Sequence, residues 1–261
     1  MSRALPWIAA LAAASIAGVA WGRPARQRWS PAAAREHRAA VKRWHSAEGL
    51  RPVLDASSRP KLVLEALNTG ERAELEAETD DGGFDRDALL RASTLLRDTR
   101  SGETHAIEPR ALDLVYRAMR HFSAPLVRVV SGFRAPRGSG GSNHGKGRAI
   151  DLVLPGVADT KLSEWARSQG FTGVGVYPNS GFCHLDVRSQ SYFWVDTSGP
   201  GQRSREAPVR RAEAARADAR ARARGVEPPS FSPARGDTAA AIGGKPATPA
   251  ADDADDHADE E

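Results

Sequence analysis

Cysteine is almost absent: the 261 residues hold one, Cys183. A single thiol excludes an internal disulfide and any zinc site built on cysteine, so a metal site here has to be assembled from histidine and carboxylate. Beyond the N-terminus there is no hydrophobic run long enough to span a bilayer. At the N-terminus, Ile8 to Ala20 is apolar and alanine-rich, preceded by Arg3 and followed by Ala20-Trp21-Gly22. Residues 1–22 therefore read as an export signal, either removed after Gly22 or retained as an N-terminal anchor. Helix-turn-helix, zinc-finger and RNA-binding signatures are also missing. The formal charge is +4, from 37 Lys and Arg against 33 Asp and Glu. Such a surface suits an anionic polymer, lipid or nucleic acid without selecting among them.

Apolar patterning is confined to the middle of the chain. Residues 23–60 are basic and contain Trp29, Trp44 and several prolines; they read as a linker or a short helix around Ala32 to Ala47. From Lys61 the pattern changes. Leu62 to Leu67 reads as a strand, NTGE as a turn, and the following ERAELEAET as a second strand. Helices are expected over Asp85 to Asp98 and from Pro109, the latter with Leu112, Val115, Tyr116 and Met119 on one face. Leu126 to Phe133 and Ala149 to Leu154 read as strands around a loop rich in Gly, Ser and Arg. Asp159 to Gln169 reads as a helix closed by Gly170, with two more strands near Val174 to Tyr177 and Phe182 to Val187. This order predicts an α+β domain over residues 61–200, its sheet mostly antiparallel with helices packed on it. Residues 201–261 combine an Arg/Ala run without an apolar stripe, a Pro/Gly/Ala stretch and an acidic end containing His257. They read as a disordered, low-complexity tail.

Two segments carry the chemistry. His144 lies in a glycine-flanked loop, and Asp151 follows inside a strand whose neighbours Ile150, Leu152, Val153 and Leu154 are apolar. Asp151 is therefore buried, and a buried carboxylate needs a charged partner or a metal. Either a metal or an arginine, Arg134 or Arg148, meets that need. In Phe182-Cys183-His184-Leu185-Asp186, strand alternation places His184 and Asp186 on one face and Cys183 and Leu185 on the other. Two histidines and one carboxylate are a usual protein ligand set for catalytic zinc, with water in the fourth position.

Ser142-x-His144-x-x-Gly147-x-Ala149-x-Asp151 resembles the SxHxxGxAxD motif of the zinc D-alanyl-D-alanine peptidase and Hedgehog-like superfamily. LNTGE (Leu67 to Glu71), LLRDTR (Leu95 to Arg100), VVSGFR (Val129 to Arg134), GVGVYP (Gly173 to Pro178) and FCHLDV (Phe182 to Val187) resemble one branch of it, the murein endopeptidase K family, from about Lys61 to Trp194. The resemblance implies a Zn2+ domain, a periplasmic or envelope location, and cleavage of peptide bonds in peptidoglycan stem peptides or crosslinks. It implies His144, Asp151 and His184 as zinc ligands. It implies Arg134 as the arginine that holds a substrate oxygen or carboxylate, a task suited to a planar guanidinium.

The sequence departs from the superfamily pattern in two places. The stretch between Arg134 and His144 is short and glycine-rich. Gly181 stands three residues before His184, where many members carry a glutamate as general base. Asp186 is the nearest acid on the face of His184, and either orients that ring or assists proton transfer. The missing glutamate also admits a second reading, a zinc-containing module that binds peptidoglycan or a partner without cleaving it. A third, nucleic-acid binding through residues 207–224, conflicts with export.

Overall fold

The strands expected from Leu62 onward all form, and together with two more they make one eight-stranded sheet in this computed structural model, which describes residues 30–136, 141–209 and 211–231. The expected export signal, His257 and the end of the tail lie outside the described residues. In chain order the strands are β1 (Leu62–Ala66), β2 (Arg72–Leu75), β3 (Val127–Ser131), β4 (Ala149–Val153), β5 (Thr172–Tyr177), β6 (Phe182–Val187), β7 (Tyr192–Asp196) and β8 (Glu206–Val209). Their lateral order is β2-β1-β3-β4-β6-β5-β7-β8.

The sheet is mixed, which corrects the expectation of a mostly antiparallel one. β1 runs parallel to β3, and β5 runs parallel to β7. Each parallel joint has a topological cause. Between β2 and β3 the chain crosses over through helices α2 (Arg86–Leu95) and α3 (Pro109–His121), so β3 returns alongside β1 in the same direction. β6 folds back beside β5, and β7 then takes the opposite flank of β5.

The helices begin where local chemistry allows. In α1 (Pro31–His45) the Ser30 hydroxyl accepts the Ala33 N–H at 3.1 Å, with Pro31 opening the first turn. The Asp85 carboxylate does the same for α2, accepting from Ala88 at 2.7 Å. Helix α4 (Asp159–Gln169) ends at Gly170, whose φ of 78° favours glycine. α3 and α4 cover one face of the sheet, over a core that includes Leu64, Val129, Ile150, Leu152, Val174, Leu185 and Phe193. Cys183 belongs to this buried layer, as strand alternation predicts. α1 lies on the other face. There Arg128 donates through Nη1 to the last carbonyls of α1, those of Arg43 at 2.7 Å and Trp44 at 2.6 Å, and Val41 packs over Gly181.

The predicted tail needs correction over residues 206–209 and 211–223. β8 extends the sheet, and helix α5 (Arg211–Ala223) docks on α4 and β7. Ala214, Ala217 and Ala221 face inward and are buried. Alanines spaced among arginines give no visible apolar stripe, yet their small size lets α5 approach Gly170 so closely that a Cβ there would meet Ala221. Buried Asp218 fastens the helix. Its carboxylate accepts from Phe171 N–H at 2.7 Å, Ser191 N–H at 2.9 Å and the Ser191 hydroxyl at 2.6 Å. Asp218→Ala leaves these donors unpaired and should lower unfolding stability by about 2–3 kcal/mol, read by urea denaturation, with protection against hydrogen exchange lost first in α5.

Candidate metal centre

One rung of the sheet builds most of the site. Asp151 of β4 stands directly opposite His184 of β6, and Ser131 of β3 opposite Asp151. On the other flank Gly175 of β5 faces His184, and Trp194 of β7 faces Gly175. These side chains rise from the face away from α3 and α4. His144 comes from the loop before β4. That loop is pinned by Arg148 N–H donating to Asn143 O at 2.8 Å and Glu108 N–H to Gly147 O at 2.8 Å. Gly147 has φ 67°, and a Cβ there would collide with the Ala106 carbonyl, so the turn presenting His144 requires glycine.

Three ligand atoms converge. His144 Nε2 lies 3.1 Å from His184 Nδ1 and 3.3 Å from Asp151 Oδ1, and His184 Nδ1 lies 2.9 Å from the same oxygen. The opposite ring nitrogens are both tied down. His144 Nδ1 donates to Gly132 O at 2.6 Å, and His184 Nε2 donates to Asp186 Oδ2 at 2.9 Å. Those oxygens only accept, so in the neutral rings the lone pairs sit on His144 Nε2 and His184 Nδ1 and face the Asp151 carboxylate. Zinc bonds of roughly 2.0–2.2 Å in a tetrahedron separate ligand atoms by about 3.3 Å. The observed separations are close to this, all three residues are buried, and the donor set is one that zinc takes.

Supporting contacts explain neighbouring sequence. Arg188, one alternate position beyond Asp186 on the same face, grips its carboxylate with Nε at 2.7 Å from Oδ1 and with Nη2 on Oδ2, while Gly173 N–H donates to Oδ1 at 3.1 Å. A Cβ at Gly173 would collide with this pair, and one at Gly175 with the Trp194 indole. The glycine alternation in GVGVYP therefore leaves room for side chains from adjacent strands. The Trp194 ring lies 5.0 Å from that of His184, and its Nε1 donates to the Tyr177 hydroxyl at 3.1 Å. Arg134 reaches Asp151 Oδ2 through Nη2 and donates through Nε to Ser131 Oγ at 3.0 Å. Its segment is held by Asp98, whose carboxylate accepts from Ala135 N–H at 2.8 Å, and by Phe133 N–H on Leu96 O at 2.7 Å. Arg148 instead lies over the Phe231 ring.

All five residues singled out from sequence thus meet: His144, Asp151 and His184 as a cluster, Asp186 on the outer nitrogen of His184, and Arg134 on the outer oxygen of Asp151. Sequence reasoning missed Arg188, Trp194 and Asp98. Only Arg188 had a legible signal, its alternate spacing from His184 and Asp186. Gly181 is not a vacant place for a glutamate. Its φ is 80°, and a Cβ there would strike Val41 of α1.

The charges reinforce one another. Burial works against ionisation of Asp151, but the charges of His144 and Arg134 and the ring hydrogen bonds hold its pKa well below the usual carboxylate range. Asp186 is likewise buried and likewise held low, by Arg188 and His184. Burial would lower His184, yet its two flanking carboxylates carry it up to about 9. His144 is lowered, by burial and by Arg134.

The buried His, Asp, His cluster and most of the sheet fall within a segment that matches a known family. Residues 55–192 match the family described as peptidoglycan L,D-endopeptidase MepK, and the chain belongs to that family. It is 32% identical over 146 residues to the peptidoglycan L,D-endopeptidase MepK of Escherichia coli, an alignment covering 51% of this chain and 79% of that protein. To the probable peptidoglycan L,D-endopeptidase MepK of Haemophilus influenzae it is 32% identical over 151 residues, covering 52% and 81%. No solved structure matches the chain significantly. The matched segment excludes α1, β8 and α5.

The metal-free state sets a pH dependence. With a pKa of about 9 instead of 6.5, His184 carries a proton at neutral pH, which a metal must displace from Nδ1. Zinc binding near pH 7 should release about one proton per ion, measured by calorimetry in buffers of different ionisation enthalpy. Apparent affinity should climb with pH and level off near 9. Heats independent of the buffer would show that the His184 ring is not charged.

Proposed function

We propose that this chain is a zinc-dependent murein endopeptidase that hydrolyses L,D peptide bonds in peptidoglycan crosslinks. The observation that carries the reading is the meeting of His144 Nε2, His184 Nδ1 and Asp151 Oδ1 at one buried point, each ligand fixed from behind by a second partner. Zinc, when bound there, supplies a Lewis acid for the scissile carbonyl and lowers the pKa of a bound water.

The chain's own groups prepare that chemistry. Gly132 O and Asp186 keep the two rings in the tautomers that direct their lone pairs inward. Asp186 serves this orienting role in preference to proton transfer, because Arg188 occupies both its oxygens and holds it far from the pKa of an effective base. Trp194 and the neighbouring strands keep bulk water from the inner side of the cluster. Arg134 remains 36% exposed beyond Asp151, so its guanidinium stands where a substrate oxygen or carboxylate arrives. The apolar N-terminal run fits an exported protein working in the cell envelope, whether the signal is removed or retained as an anchor. Among the described residues no helix is long and apolar enough to cross a membrane.

Purified crosslinked muropeptides, digested and read by mass spectrometry, test this. Cleavage should require zinc, stop with chelator, and return on adding zinc back. His184→Ala and His144→Ala should lose both cleavage and bound zinc. Asp186→Asn should lower metal affinity or turnover by about 10- to 100-fold while the fold survives. Arg134→Lys should raise KM more than it lowers kcat. Cleavage confined to D,D crosslinks would contradict the proposed bond, and no zinc-dependent product from any crosslink would overturn the enzyme reading.

A further inference from the structure

A groove of about 340 Å³ opens beside the metal cluster, between α1, the start of β6 and the 198–204 loop. Its floor is the stacked pair Tyr177 and Phe182, with ring centroids 4.5 Å apart and planes 18° from parallel. One wall is Trp44 of α1, packed edge-on against His37 at 5.8 Å. Ser180, Ser198 and Gln202 contribute hydroxyls and an amide to its lining. The groove lies on the same face of the sheet as the site. Phe182 is two residues from His184 on the same face of β6, and the Tyr177 hydroxyl holds the Trp194 indole that lies on His184.

The charge of the groove selects its occupant. Among the described residues no Lys or Arg lines it, and His37 and Asp196 are its titratable groups. Asp196 is committed inward, accepting from Ser198 N–H at 2.6 Å, Ser204 Oγ at 2.9 Å and Arg205 N–H at 3.1 Å. Crosslinked stem peptides carry carboxylates and ammonium groups, for which these walls offer no ion pair. An N-acetylated amino sugar is uncharged. It presents an apolar C–H face that suits the negative face of an aromatic ring, and a rim of hydroxyls and an amide that suits serines and glutamine.

We propose that this groove binds a sugar of the glycan strand, so that the chain grips its substrate by the glycan at α1 and by the peptide at Arg134. The proposal deepens the murein endopeptidase reading and rests on it. It also assigns a role to α1, which lies outside the family-matched segment.

The test uses the full chain, made zinc-free so that binding is read without turnover. Affinity is measured by calorimetry for a crosslinked muropeptide bearing its disaccharides and for the same peptide stripped of them by an amidase. The sugar-bearing ligand should bind about tenfold more tightly, equivalent to about 1.4 kcal/mol. Trp44→Ala and, separately, the helix-surface change His37→Ala should shrink that ratio toward one, with thermal unfolding confirming that each variant folds. Equal affinities for the two ligands in the wild type would overturn the proposal. So would a preference that survives both substitutions, or an equal loss for both ligands in the variants, which would make the groove a peptide site. Failure of the zinc-loaded wild type to cut either ligand would count against the endopeptidase reading and leave the affinity ratio to judge the groove.

Discussion

The register between β4 and β6 is the constraint on which the site depends. Asp151 and His184 are direct ladder partners, so their separation is set by backbone hydrogen bonds in the middle of an eight-stranded sheet and not by flexible side chains. A slip of one residue in either strand would send its ligand into the helix-covered core and bring Leu152 or Leu185 to the site face. The core prevents it, because Ile150, Leu152, Cys183 and Leu185 fill the opposite face with no exposure beyond 1%. Packing on one side of the sheet thus fixes chemistry on the other.

Around that rung, each side chain near the metal position is itself held. Asp186 is held by Arg188 and Gly173, Arg134 by Ser131, and the loop of His144 by Gly132 and Glu108. The assembly puts two carboxylates in a dry environment, where an unmatched charge is costly. Each is matched by an arginine, Asp151 by Arg134 on its outer oxygen and Asp186 by Arg188 on both oxygens. This is why Asp151 stays ionised despite complete burial, and why the cluster can present an anionic oxygen to a cation.

Much of this was legible in the chain. The His144 loop, the apolar flanks of Asp151 and the alternation around His184 announced which atoms share a face, and the helices and strands up to Val187 follow ordinary periodicity and turn residues. Three features were hidden, for separate reasons. The two parallel joints depend on which flank of the sheet a strand chooses, a long-range outcome that local pattern does not encode. Helix α5 is built on alanine contacts and one buried aspartate, and its composition reads as solvated. The local sequence around the glycines at 173, 175 and 181 does not show why they are glycine, yet each is defined by a neighbour on another element: Asp186 with Arg188, Trp194, and Val41. Gly181 is the instructive case. From sequence it is a missing acid, whereas in the structure its Cβ direction is the footprint of α1.

The seclusion of Cys183 has a practical consequence. Its thiol lies in the core beneath α4, with Sγ 3.4 Å from the Asp159 carbonyl, and burial pushes its pKa well above the ordinary thiol value. A sulfur so protonated and enclosed is a poor target for oxidants and a poor partner for exchange with other thiols. Maturation of this fold makes no demand on disulfide-forming enzymes, and the domain should reach the same structure in a reducing cytosol or an oxidising envelope.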